Sequence, residues 1–269
     1  MLPQVKTDFM KAKYDSIGVK YNDTRKADDR LAQLLFEFLN PGNDGVYLDI
    51  GCGTGNYSNK LQEKGVNLIG IDPSEVMLDK AKKLNQQIDW RIGTAENTGL
   101  KNEEVEGIVG SLTIHHWSDL EKAFQELYRI LKPAGRIVLF TSSPMQMKGY
   151  WLNHYFPKMM EASSSQMPAL ESVNLAITKA GFGKFKSIPY SIHEGLQDQF
   201  LYAGKHNPSL YLNAEVRKGI SSFSSLSNAS EVRHGLENLK RDISSRKIND
   251  VIDSYKNEGG DYLFITAEK

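Results

Sequence analysis

Three glycines at alternate positions, set behind an apolar run and an acid, constrain this chain more than any other feature. The stretch reads Val46-Tyr47-Leu48-Asp49-Ile50-Gly51-Cys52-Gly53-Thr54-Gly55-Asn56. Gly51, Gly53 and Gly55 permit a tight turn with positive φ and let a ligand approach the main chain without meeting a Cβ. The residues that follow open a helix, and its first N–H groups, lacking intrahelical partners, face whatever sits at the turn. A second apolar run, 67–71, ends in Asp72-Pro73-Ser74. A carboxylate at the end of that second strand is placed, as in dinucleotide folds, to accept both hydroxyls of a ribose. The set therefore reads as a nucleotide pocket. A glycine-rich turn with only a structural role would require neither Asp49 nor Asp72.

The segment from Leu48 to Gly55 resembles the first motif of the class I S-adenosylmethionine-dependent methyltransferases, in their small-molecule, type 11 or UbiE-like branch. The nicotinamide fingerprint is G-x-G-x-x-G, whereas this loop is G-x-G-x-G with an acid two residues before its first glycine. Further along, 91–100 is similar to the family's adenine-side segment, 108–117 to its fourth strand and following turn, and 131–140 to the turn into its fifth strand. The resemblance runs over roughly residues 10 to 190 in the family's order. It implies S-adenosyl-L-methionine as cofactor and S-adenosyl-L-homocysteine as product. The implied contacts are Asp49, Gly51, Cys52, Gly53, Gly55 and Asn56 in the loop, then Asp72, Pro73 and Met77, then Ser111 and Leu112. At the adenine stand Thr94, Ala95 and Glu96; many relatives carry Asp in place of Thr94, so either Thr94 or Glu96 meets the amino group. The stretch from Tyr14 through Tyr21 to Arg25 resembles the family's N-terminal cover, with Arg25 or Tyr21 on the methionine carboxylate and Tyr14 toward the substrate.

The chemistry implied by the resemblance is in-line attack on the methyl carbon of a sulfonium. Alignment of the reactants alone supplies up to ~7–11 kcal/mol, and a general base adds about 10²–10⁴-fold where the acceptor must lose a proton. His116 is the first candidate for that base and His115 the second, because the turn after strand four abuts the methyl group in the family. The alternative is that the His-His-Trp turn packs around the cofactor, and an anionic acceptor needs no base. The family's Asn/Asp-Pro-Pro-Tyr-like nucleobase motif is replaced by Ser111-Leu112-Thr113-Ile114-His115-His116, which favours a small-molecule acceptor. A methyltransferase acting on protein or RNA, and a non-catalytic cofactor-binding interaction module, stand as alternatives.

Lys plus Arg equals Asp plus Glu at 33 each, so no net field attracts nucleic acid or an anionic membrane, and neither is expected as a partner. The N-terminal residues lack an apolar signal core and no apolar run approaches ~20 residues, which points to the cytoplasm. The single cysteine, Cys52, excludes an internal disulfide and a thiolate cluster. The histidines lack helical zinc spacing, and no metal is expected. The expected assembly is a monomer or homodimer.

Leu31, Leu34, Leu35 and Phe38 recur at helical spacing ahead of the first strand. Ser118 to Glu121 has the spacing of a capping box, followed by the stripe Leu120, Phe124, Leu127 and Leu131. Strands are expected at 46–50, 67–71, 88–92, 105–111, 136–141, 183–190 and 261–267. The fold class is α/β: a doubly wound, seven-stranded, mostly parallel, Rossmann-like sheet with an inserted helical cap. The core is expected to comprise 1–144 with 168–191 and 261–269, of which 1–30 form an N-terminal arm. Residues 145–167 and 192–260 form the cap, the latter helical at 195–205, 213–220 and 230–255. Trp151, His154 and Tyr155 of the cap, with Tyr190, are expected at the substrate.

Overall fold

The computed structural model describes residues 24–255 and 257–269. Tyr14 and Tyr21 lie outside the described residues. One open sheet carries seven strands in the order β3-β2-β1-β4-β5-β7-β6. These are β1 (Val46–Ile50), β2 (Asn67–Asp72), β3 (Asp89–Ile92), β4 (Val105–Ser111), β5 (Leu131–Thr141), β6 (Gly183–Tyr190) and β7 (Tyr262–Glu268). β1 to β5 pair in parallel, and β7 runs antiparallel to both β5 and β6. The order reverses between β1 and β4, so a crevice opens beyond their carboxyl ends, where open α/β sheets bind ligands.

Period-two alternation sends successive side chains to opposite faces. Tyr47, Val109, Val138 and Phe140 face one layer, containing α1 (Asp29–Leu39), α2 (Asn56–Glu63) and α3 (Glu75–Leu84). Leu48, Ile108, Ile137 and Leu139 face the other, in which α4 (Leu120–Ile130) packs. α1 starts where the Asp28 carboxylate accepts the Leu31 N–H at 2.9 Å and stops at Asn40, whose φ is 48°. The N-cap of α4 is Asp119, which accepts the Lys122 N–H at 3.0 Å. The expected Ser118 capping box is thus displaced by one residue. An Asp carboxylate takes the cap, and Ser118 instead donates to Glu96.

The first insert folds as α5 (Pro144–Lys148), α6 (Leu152–Tyr155) and α7 (Pro157–Gln166), after which α8 (Leu170–Ala180) packs beside α4. The second insert holds α9 (Ala214–Gly219), a π-turn over Ser222–Leu226, α10 (Ala229–Ser244) and α11 (Ile248–Ser254). A break at Arg246, φ 64°, divides the helix expected over 230–255. Residues 195–205 are not helical. Their backbone bonds to the chain ahead of α1, with the Gln199 N–H donating to the Thr24 carbonyl at 3.0 Å and the Gln197 N–H to Asp28 at 3.1 Å. The two inserts pack closely: a Cβ on Gly235 of α10 would lie 2.4 Å from the Phe156 ring. Their apolar side chains join the sheet face in one cluster, with Tyr150 stacked on Tyr202 at 3.9 Å and Phe140 on Tyr262 at 5.3 Å.

Trp90 of β3 supports the glycine loop from below. Its indole N–H donates to the Asn85 carbonyl at 2.8 Å, and a Cβ on Gly55 would sit 2.4 Å from its ring. Gly55 also carries φ 77° as the N-cap of α2. Gly55→Ala is expected to lower unfolding free energy by at least ~1–2 kcal/mol from backbone strain alone, and Trp90→Ala by ~3–5 kcal/mol through the cavity left behind. Urea titrations measure both, and a neutral Gly55→Ala would refute the close-packing account.

Candidate active site

The loop after β1 is fastened to the end of β2. The N–H groups of Gly51 and Cys52 donate to the Ile71 carbonyl at 2.7 and 3.1 Å. The Gly53 N–H donates to Asp72 Oδ2 at 2.9 Å, while Asp72 Oδ1 accepts the Ser74 N–H, also at 2.9 Å. The glycines have distinct roles. A Cβ on Gly51 would collide with Thr113 Oγ1 at 2.0 Å, Gly55 rests on Trp90, and Gly53 has no atom within 4 Å of where a Cβ would stand. Only at Gly53 is the main chain open to a ligand.

A cleft with three lobes runs along this loop. The largest encloses about 1230 Å³ of open space, mouth included, and continues from Gly51, Gly53, Asp72, Pro73 and Met77 to the inserts. A second lobe is lined by Gly93, Thr94, Ala95, Glu96, Trp117 and Ser118. The third holds Arg25, Asp49, Cys52, Thr54, Asn56, Tyr57 and Asp198. Gly51 borders all three.

In the third lobe Arg25 Nε meets Asp198 Oδ1 at 2.5 Å, and the Tyr57 hydroxyl donates to Asp198 Oδ2 at 3.2 Å. Asp198 comes from the second insert and is almost fully buried. The Asn56 side-chain amide donates to the Arg25 carbonyl, so the loop, the segment ahead of α1 and the insert are bonded together. Burial raises the Asp49 carboxyl from its ordinary 3.8 to about 6, against the lowering effect of the Ser58 hydroxyl that donates to it at 2.5 Å; the charge of Asp72 adds to the rise. Burial likewise raises Asp72 to about 6, although the Ser74 and Gly53 N–H groups pull it down. Burial first, and the charges of Asp72 and Asp49 next, push the Cys52 thiol well up. A thiol kept protonated is a packing group here, not a nucleophile.

The turn after β4 forms the wall between the first two lobes. Leu112 takes φ 53°, a region costly for a residue with a Cβ, while its N–H donates to the Phe140 carbonyl at 2.8 Å. This brings Ser111, Leu112, Thr113, His115 and His116 to the cleft surface, His116 bordering both lobes. The two imidazoles lie 3.8 Å apart, centre to centre. The Ser111 hydroxyl is buried, with no protein partner among the described residues.

Among the expected cofactor contacts, Gly55 alone of the described residues does not line the cleft, because it is used in packing on Trp90. Glu96 lines the second lobe, but its Oε1 accepts from the Ser118 N–H, the Ser118 hydroxyl and the Asp119 N–H at 2.6, 2.8 and 3.2 Å. That oxygen is committed to the start of α4. Of the expected substrate residues that are described, none lines the cleft. Trp151 is fully buried with its indole N–H on the Lys205 carbonyl, and the Tyr155 hydroxyl donates to Asp242 at 3.1 Å inside the inserts' own core. Tyr190 is buried against Phe140 and Phe264, and His154 is exposed outside the cleft. In their place stand Met147, Tyr150, Met167, Phe200, Ile220 and Tyr262. The aromatic and Met content of the first insert signalled Met147, Tyr150 and Met167, whereas Phe200, Ile220 and Tyr262 come from outside it. Asp198 and Trp90 gave no pattern in the sequence.

A family model described as a methyltransferase domain matches residues 48–139. The biotin biosynthesis bifunctional protein BioHC of Cellvibrio japonicus is 37% identical over 39% of this chain and 22% of its own length. A malonyl-[acyl-carrier protein] O-methyltransferase of Yersinia pestis is 35% identical over 48% of this chain and 45% of its own. The matched part thus spans less than half of either curated relative. A solved structure from Anabaena variabilis, described as a candidate methyltransferase from an antibiotic biosynthesis pathway, is 37% identical, covers 91% of this chain and 98% of its own, and superposes with a TM-score of 0.81. This chain belongs to the class I S-adenosylmethionine-dependent methyltransferases. In this methyltransferase the residues that match the family's first motif are the ones that Asp72, Trp90 and Thr113 hold in place. Among its described residues, no helix is long and apolar enough to cross a membrane.

The raised Asp49 carboxyl fixes the sign of a pH effect. A folded value of about 6 against an ordinary 3.8 means the folded state holds an extra proton between these values. The associated stability is fully present below pH 3.8 and is lost as pH rises through about 6. Asp49→Asn, which cannot ionise, is expected to gain stability relative to wild type as pH rises from about 4 to 6 and to level off above. Paired thermal melts across that window check it, and a pH-independent difference would contradict the assignment.

Proposed function

We propose that this chain transfers a methyl group from S-adenosylmethionine to an O, N or S atom of a small-molecule acceptor. The observation that carries the reading is the pairing of Asp72 with Gly53. The carboxylate is held by two N–H groups with capacity left for ribose hydroxyls, beside the one stretch of loop with open space above it. The remaining residues fit the cofactor. The third lobe offers a cation in Arg25 and carboxylates in Asp49 and Asp198 to the zwitterionic methionine end. The second offers Thr94, Ala95 and Trp117 to the adenine. The buried Ser111 hydroxyl at the junction of the lobes has capacity for a ligand.

When bound, the sulfonium supplies an electrophilic methyl carbon and a neutral leaving thioether. This chain's own residues align the acceptor with it, and His116 takes the proton where the acceptor has one to lose. Residues 145–167 and 192–260 act as the cap that excludes water, with Ile220 and Phe200 from one insert and Met147 and Met167 from the other on the same lobe.

Asp72→Ala is expected to weaken S-adenosylhomocysteine binding by ~1.5–3 kcal/mol, the contribution of hydrogen bonds to a charged group. Calorimetry measures this, and unchanged affinity would refute the ribose assignment. His116→Ala is expected to lower kcat by ~10²-fold or more with cofactor affinity within a few-fold on an alcohol, phenol or thiol acceptor. Near wild-type turnover on such an acceptor would assign His116 to packing.

A further inference from the structure

Resting on the methyl-transfer reading above, we propose that the acceptor is an uncharged hydroxy compound with an apolar body, a phenol or an alcohol. The wall of the main lobe beyond the glycine loop carries Met147, Met167, Phe200, Leu201, Ile220 and Leu226. Its other side chains there are neutral hydroxyls and one amide: Ser142, Ser163, Tyr150, Tyr262 and Gln166 among them. Of the described lining residues, only Arg25 and Asp72 carry a formal charge apart from the two histidines. Both are engaged on the cofactor side, Arg25 with Asp198 and Asp72 with Gly53 and Ser74.

Behind this wall a lysine and an aspartate are paired with each other. Lys205 meets the buried Asp261 carboxylate at 2.7 Å, and the same oxygen accepts the Ile192 N–H at 2.8 Å. Among the described residues, a carboxylate, phosphate or ammonium seated against this wall would shed water without meeting a counter-charge there, which disfavours it. A neutral acceptor buries its apolar body against the thioethers and Phe200 at no such cost. The hydroxyls of this wall are satisfied within the protein: the Ser142 hydroxyl lies 2.9 Å from that of Tyr150, and both donate to the Asp261 carbonyl. Burial holds the Tyr150 phenol well above its ordinary range, so this cluster stays neutral.

A hydroxyl acceptor has a proton to lose, and the turn after β4 supplies a group for it. The hydroxyl oxygen forms the new bond to the methyl carbon as the carbon–sulfur bond breaks. The electron pair of that bond stays on sulfur, and the hydroxyl proton passes to the His116 imidazole and from there to water.

The test uses the full chain saturated with S-adenosylhomocysteine at pH 7 and three probes of one shape: 2-naphthol, 2-naphthoate and 2-naphthylmethylammonium. Calorimetry is expected to give 2-naphthol about tenfold or more tighter binding than either ion. Leu226→Trp, at a half-buried wall position, is expected to weaken 2-naphthol about tenfold with S-adenosylhomocysteine affinity within a few-fold. Leu201→Lys, also half-buried, is expected to strengthen 2-naphthoate about tenfold by supplying the missing counter-charge. Equal or tighter binding of either ion by wild type, no binding of 2-naphthol, or 2-naphthol affinity unmoved by Leu226→Trp would overturn the proposal. Failure of S-adenosylhomocysteine itself to bind would instead remove the methyl-transfer reading on which it rests.

Discussion

The hydrogen bond from the Gly53 N–H to the Asp72 carboxylate is the constraint around which the site is arranged. It joins the loop after one strand to the end of the next, so the turn cannot open without unpairing a buried carboxylate. Two further N–H groups of the loop close on Ile71. Trp90 supports the same loop from beneath and Thr113 bounds it from the side. A main chain fixed on three sides leaves one face free, at Gly53, and this preorganisation lets a site bind without first ordering its own loop.

Among the described residues, charged side chains line the cleft around the loop and at Glu96, and the wall that the inserts give the main lobe carries none. Arg25, Asp49, Asp72 and Asp198 gather around the loop, while the wall formed by the inserts is thioether, aromatic and hydroxyl. Burial makes both carboxyls hold their protons more tightly, which is why Asp49 and Asp72 rise to about 6, and the charge of Asp72 adds to the rise of Asp49. The Arg25–Asp198 pair joins the second insert to the segment ahead of α1 at this end. Breaking it would leave a buried carboxylate without its cation, a costly state, so the pair specifies how the insert is seated.

Much of the sheet was legible because its strands follow a rule of period two or are apolar throughout. The β1 loop was legible because glycines, an acid and a second acid stand at spacings that only a turn over a strand end requires. The expected contacts Asp49, Gly51, Gly53, Asp72 and Ser111 stand at or just beyond strand ends and Met77 in the first turn of α3, and all of them line the cleft. The inserts were not legible in the same way. Trp151 and Tyr155 had the composition of a pocket wall, yet they form the inserts' own core, because a large aromatic in a small helical layer is needed to fill it. The span 195–205 had helical composition but became turns, with the Gln197 and Gln199 N–H groups donating to Asp28 and Thr24 instead of to carbonyls four residues back.

The sequence by itself determined the order of the seven strands, the glycine turn, the acid at the end of β2 and the histidine turn after β4. Each is a local matter, decided by backbone freedom, side-chain period and the place where a strand stops. Tertiary structure decided which residue supports the loop, that Asp198 pairs with Arg25 across 173 positions, that Glu96 is drawn to the start of α4, and that Met147, Met167, Phe200 and Ile220 face the cleft while Trp151 turns away. These outcomes depend on distances between segments remote in sequence. They are settled by competition for buried volume and for partners of buried charge, and no local pattern encodes them.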